Sequence, residues 1–161
     1  PILWYSPDPR MVITPDKFHL SKSLRKIIHS SRFEVRVDTV FVDVISQCRS
    51  VIRPGQAGTW IDNAMVQAYC DLNKEGYAHS YEVYENDKLV GGLYGIALGG
   101  VFFGESMFSL VSNASKVAFA YLLQNSHYRL IDCQVENKHL QNLGAFRLPR
   151  DLFIQQLKAF V

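Results

Sequence analysis

Ser80-Tyr-Glu-Val-Tyr84, Asn86-Asp87, Leu89–Ala97, Gly99-Gly100 and Val101-Phe-Phe103 read in succession as strand, turn, strand, turn and strand. Residues 80–84 alternate in polarity, as a half-buried strand does, and Asn-Asp and Gly-Gly are residue pairs that tolerate the left-handed backbone of tight hairpins. Residues 78–108 are therefore predicted to form three antiparallel strands. Gly91-Gly92 and Gly99-Gly100 fit neither G-x-G-x-x-G nor the Walker pattern, so they read as turns and a bulge between strands.

Outward from this core, helices and strands mix. Leu20, Leu24, Ile27 and Ile28 recur at helical spacing near 20–30, with Lys22, Arg25, Lys26 and His29 largely on the other side. Phe33–Val37 alternates as a strand, and a helix is expected over about 39–49. Pro54–Gly58 reads as a loop, after which Asp62 caps a helix ending at Gly76. A fourth helix is expected from Asn113 to about Gln124, capped by Asn113 or Ser112. Arg129–Val135 is a short buried strand, and two helical pieces flank Ala145–Leu148. Residues 1–16, punctuated by Pro1, Pro7, Pro9 and Pro15, read as extended chain. The order predicts an α+β fold, a mixed, mostly antiparallel sheet flanked by helices, as one domain over 1–161.

Composition narrows the function. The 161 residues carry 48% hydrophobic and 20% charged residues, ordinary for a soluble globular protein. There is no apolar run of the ~20 residues that a membrane helix needs and no basic-then-apolar leader, so a cytoplasmic location and no membrane partner are expected. Cys48, Cys70 and Cys133 lack zinc-ligand spacing, and the five histidines form no HExxH pair. Neither a metal nor a cofactor is expected. Residues 1–60 hold nine Lys/Arg against five acids, whereas the remainder is net acidic. That front section suits a polyanion such as RNA, although a solvated basic helix face has the same composition.

Leu130-Ile-Asp-Cys-Gln-Val135 is the segment richest in chemistry. On a strand, Asp132 and Gln134 share one face and Cys133 turns away. A carboxylate inside an apolar strand needs a partner, because an unpaired buried charge is costly. Catalysis and a purely structural hydrogen-bonded pair both satisfy this pattern. Phe103-Gly-Glu-Ser-Met-Phe-Ser109 is the second candidate: Glu105 follows a glycine that permits close approach, and Met107 has the same parity. Here a capping or paired glutamate among core residues is the bland reading. Gly104-Glu-Ser106 lacks the closing glycine of a nucleophile elbow, and Cys133 reads as a structural thiol.

Leu3-Trp-Tyr-Ser-Pro-Asp-Pro-Arg10, Gly58-Thr-Trp-Ile61, Ala78-His-Ser80, Val90-Gly-Gly92, Phe103–Ser109, Asn113-Ala-Ser-Lys116, Leu130-Ile-Asp-Cys-Gln134 and Leu143-Gly-Ala145, in this order, resemble the leucyl/phenylalanyl-tRNA–protein transferases. The resemblance spans the chain. It implies a GNAT-like acyltransferase fold, Leu-tRNA or Phe-tRNA as donor, and an acceptor protein beginning with Arg or Lys, which is thereby tagged for degradation as an N-degron. It places the catalytic pair on Asp132 and Gln134 and the acidic pocket residue on Glu105. The aminoacyl pocket falls on Met107, Phe102 and Leu93, where relatives commonly have Met at the last position. Trp60 falls near the tRNA's terminal adenosine, and Lys22, Arg25 and Lys26 become a candidate tRNA-contact face. Relative to the family the chain is expected to be shortened at both ends. A non-catalytic paralogue holding tRNA ends or basic N-termini is therefore the alternative, with an acetyl-CoA-dependent N-acetyltransferase behind it.

Overall fold

The computed structural model describes residues 4–51 and 58–161. Most of the loop expected at Pro54–Gly58 lies outside these residues. Seven strands, β1 (Arg10–Ile13), β2 (Glu34–Val37), β3 (Ala78–Glu85), β4 (Lys88–Leu98), β5 (Val101–Ser109), β6 (Leu130–Gln134) and β7 (Phe146–Leu148), form one sheet in the order β2-β3-β4-β5-β6-β1-β7. All pairings are antiparallel except β5 with β6. The helices are α1 (Lys22–His29), α2 (Phe41–Ser50), α3 (Asn63–Lys74), α4 (Ala114–Asn125), α5 (Lys138–Asn142) and α6 (Arg150–Phe160). The result is the expected mixed, mostly antiparallel sheet flanked by helices.

Local chemistry explains most of the boundaries. Ser21 Oγ accepts the Leu24 N–H at the start of α1, and Asp62 Oδ1 accepts the Met65 N–H at the start of α3. Asn86 and Asp87 both have positive φ, which matches the turn of a two-residue hairpin to the twist of β3 and β4. Core residues Leu93, Phe102, Val117, Leu122 and Ile131 pack on the face covered by α1, α4 and α5. Val44, Ile45, Tyr69 and Tyr94 pack on the other face beneath α2 and α3, and α6 covers Val12, Leu130 and Leu148.

Three local expectations need correction. Residues 10–13 are a strand inserted between β6 and β7, because Met11, Val12 and Ile13 are buried there. Gly91 and Gly92 lie inside β4, not between strands: a Cβ on Gly91 would stand 2.5 Å from that of Ala114, so the glycine lets α4 sit close on the sheet. Asn113 occupies the cap position of α4 with φ 70° and makes no side-chain cap bond; Ser109 Oγ accepts the Ser115 N–H instead.

Candidate active site

The parallel pair β5–β6 is short. Val101, Phe102 and Phe103 pair with Leu130, Ile131 and Asp132, and there the pairing stops. Two bulges accompany the divergence. Gly104 and Ser106 pair with successive residues of β4, which leaves Glu105 extra in β5. Val12 and Met11 pair with Asp132 and Gln134, which leaves Cys133 extra in β6. Bulges redirect side chains at strand ends, and here they open the sheet between β5 and β6.

A cleft of about 390 Å³ occupies the opening, within the range of small-molecule sites. Its apolar lining, Leu93, Phe102, Met107, Phe119 and Leu122, belongs to one core cluster, whereas its polar lining includes the hydrogen-bonded Glu105, Gln134 and Asp132, together with Asn137 and Trp60. All seven residues singled out from the sequence line it. The basic residues Lys22, Arg25 and Lys26 lie on the exposed side of α1, away from the lining, and none is ion-paired among the described residues.

The polar lining is tightly organised. Asp132 is 0% exposed and ion-paired to Arg10: Nε donates to Oδ1 at 2.9 Å and Nη2 to Oδ2 at 2.6 Å. Oδ1 also accepts the backbone N–H of Gln134 at 2.9 Å. Gln134 has φ 64°, an uncommon conformation for a non-glycine residue, so simple alternation does not bring the pair together. Asp132 thus holds the backbone N–H of Gln134, not its side-chain amide. The amide Nε2 instead donates to the Gly104 carbonyl at 2.9 Å and to Glu105 Oε2 at 3.4 Å. With Nε2 so engaged, Oε1 remains an acceptor at the cleft.

Burial pushes the Glu105 carboxyl above its ordinary range; hydrogen bonds from Tyr69 and Gln134 pull the other way, and Asp132 adds to the rise. Trp60, 46% exposed, meets Tyr69 edge-on at 6.4 Å between ring centroids. A chain of contacts thus runs from Trp60 through Tyr69 and Glu105 to Gln134.

Glu105 and Met107 do not owe their shared cleft to strand parity. The bulge turns Glu105 towards Tyr69, whereas Met107 packs with the core beneath α4. Cys133 lines the cleft instead of facing away, because it is the bulged residue. Its thiol is pushed well up by burial and by Asp132, which opposes thiolate formation. Ser106 also lines the cleft, and no histidine does so among the described residues. Among the described residues, no three His, Cys, Asp or Glu side chains cluster as metal ligands. No described helix is long and apolar enough to cross a membrane.

Sequence reasoning missed Arg10 and Tyr69. Arg10 lies 122 positions from Asp132, and only the insertion of β1 beside β6 joins them. The buried Asp132 signalled that some cation was needed without saying which.

The leucyl/phenylalanyl-tRNA protein transferase family profile matches residues 12–158. Among curated relatives, the leucyl/phenylalanyl-tRNA–protein transferase of Flavobacterium johnsoniae is 53% identical over 99% of this chain and 76% of its own length. Those of Myxococcus xanthus and Xanthomonas campestris pv. campestris are 52% and 51% identical over 98% of this chain, and 68% and 64% of their own. Among solved structures, a conserved Staphylococcus epidermidis protein of unknown function superposes with TM-score 0.59 at 14% identity, covering 88% of this chain and 57% of that one. The L-PGS of Bacillus licheniformis gives 0.53 at 13% identity, over 83% and 47%. At these identities the structures speak for the fold alone. The chain spans about half the length of those two solved chains, and about two thirds to three quarters of the curated relatives. By the extent and identity of the sequence matches, the chain belongs to the leucyl/phenylalanyl-tRNA–protein transferase family.

Proposed function

We propose that this chain moves Leu or Phe from the 3′ ester of an aminoacyl-tRNA to the N-terminal amine of a protein beginning with Arg or Lys. One GNAT-like domain over 1–161 carries the transfer in this reading. The observation that supports it is the cleft at the β5–β6 divergence, which offers an apolar lining together with an ordered amide and carboxylates. The donor's side chain enters between Leu93, Phe102 and Met107, and its ester carbon lies near Gln134. Trp60 meets the terminal adenosine.

The reaction forms a C–N bond between the acceptor's amine and the ester carbonyl carbon and breaks the C–O bond to the ribose. The amine's proton passes to the departing 3′-hydroxyl. An α-amine with a pKa of ~7.7–8.0 is already partly neutral near pH 7, so orientation is the larger task. Gln134 Oε1 accepts an amine N–H and aims the nitrogen lone pair, with Asp132 fixing the backbone of Gln134. Glu105, when ionised, pairs with the cationic acceptor. No covalent enzyme intermediate is needed. Lys22, Arg25 and Lys26 supply a basic face for tRNA phosphates.

An acetyl-CoA reading fares worse. The turn before α4 has no glycine, and Ser109 Oγ already occupies the Ser115 N–H that a pyrophosphate would seek. The deciding experiment supplies labelled Phe-tRNA or Leu-tRNA to peptides beginning with Arg or Ala. Transfer to the Arg peptide alone supports the proposal. Binding without transfer favours the non-catalytic reading.

A further inference from the structure

We propose that Arg10 is a positioning residue of the transfer site: it fixes the Asp132 carboxylate in the orientation that holds the backbone, and through it the side-chain amide, of Gln134. This inference rests on the cleft's assignment to aminoacyl transfer.

Gln134 sits in a left-handed conformation that a branched or long side chain adopts only when its surroundings impose it. Two bonds impose it here. One is the Nε2 contact to the Gly104 carbonyl, and the other is the backbone N–H donated to Asp132 Oδ1. The second depends on where Oδ1 points. A lone buried carboxylate is free to turn about its own bond, but a guanidinium fork engaging both oxygens sets its plane. Arg10 supplies that fork, at 2.9 and 2.6 Å, from a side chain only 12% exposed.

Arg10 is itself held. Its backbone is the first residue of β1, opposite Leu148 of β7, and its guanidinium lies 4.9 Å from the Phe153 ring centroid in α6. A line of contacts therefore runs from α6 through Arg10, Asp132 and Gln134 to Gly104 and Glu105 at the cleft. Arg10 does not line the cleft, so its hold on Gln134 runs through Asp132, while its charge also opposes the rise of the Glu105 carboxyl. A lysine would keep the charge but, as a point donor, would not set the carboxylate plane.

The test uses the full chain with Arg10→Lys, Arg10→Met, Asp132→Asn and the Arg10→Met/Asp132→Asn double variant. Two readouts are followed: transfer kinetics with an Arg-initiated peptide, and hydrogen exchange of the Gln134 backbone amide. For Arg10→Lys the expected kcat falls about 10- to 100-fold while the acceptor KM stays within about threefold, as misplacement of a reacting group produces. The Gln134 amide exchanges about tenfold faster, and the Ile131 amide is unchanged. In the Asp132→Asn background, Arg10→Met changes kcat less than about twofold, because two members of one linkage are not additive. Wild-type Gln134 exchange in Arg10→Lys, or losses that multiply in the double variant, would overturn the proposal. A wild-type chain that transfers nothing sinks the functional reading instead, and the exchange measurement still decides the role of Arg10.

Discussion

Two carboxylates, Glu82 in β3 and Asp132 in β6, are each 0% exposed, and they teach different things. Glu82 lies against the start of α2. It accepts hydrogen bonds from Ser80 Oγ at 2.5 Å, Thr39 Oγ1 at 2.8 Å and the N–H groups of Thr39 and Val40. Its charge ties a helix N-terminus to the sheet, and it does not line the cleft at the β5–β6 divergence. Asp132 has a guanidinium and one N–H for partners, yet it borders a cavity, and its neighbour Gln134 reaches that cavity with a polar atom left to offer. Burial of a charge marks a place where the fold must compensate. Access beside the compensated charge marks a place where chemistry is available.

Removing each carboxylate breaks this comparison if it is wrong. Asp132→Ala is expected to abolish transfer and to destabilise the chain by ~3–5 kcal/mol, since it strands the largely buried Arg10 guanidinium; urea unfolding and the peptide assay read the two losses. Glu82→Ala is expected to cost ~1–3 kcal/mol, for the donors left without an acceptor. Its kcat per folded molecule should stay within about twofold of wild type. Equal activity losses in the two variants would erase the distinction.

The two acids look alike in sequence. Each has apolar or aromatic residues on both sides, Tyr81 and Val83 or Ile131 and Cys133, and nothing local in Ser80–Tyr84 or Leu130–Val135 says which acid borders a cavity. Strands β3 to β5 were legible because turn residues and alternation are local signals. So were α1, from the helical spacing of Leu24, Ile27 and Ile28, and the Asp62 cap of α3. β1 was not: four residues, flanked by prolines, become a strand only through partners at least 118 positions away. The bulges at Glu105 and Cys133 were equally hidden, because a bulge is a mismatch between two strands and neither strand contains it alone. The cleft-lining Trp60, Glu105, Met107, Asp132 and Gln134 were nonetheless singled out, since the motifs that carry the family resemblance include them.

Smaller effects sharpen the picture within the cleft. Leu93→Ala enlarges the apolar part of the cleft, and a methylene in such a pocket is worth ~1–3 kcal/mol of discrimination. The ratio of Phe to Leu transfer should rise about tenfold, measured by competition between the two charged tRNAs. A ratio unchanged within twofold would place the donor's side chain elsewhere.

Glu105→Gln tests the raised carboxyl. Because burial lifts its folded pKa above the ordinary value, the stability it contributes is present at low pH and lost as pH rises through the folded pKa. The glutamine variant should therefore have a higher Tm than wild type at neutral pH, a gain that disappears below the ordinary glutamate range. In the same variant the acceptor KM should no longer rise as pH falls through the raised Glu105 pKa. A Tm lower than wild type at neutral pH would mean that the ionised carboxylate is stabilising after all.

The central claim is that Gln134, steered by Asp132, meets the attacking amine. Single-turnover transfer from saturating Phe-tRNA to an Arg-initiated peptide, in wild type and Gln134→Ala of matched Tm, tests it most directly. The account predicts a rate lowered by at least about 100-fold with donor binding little changed. A rate within threefold of wild type would contradict it.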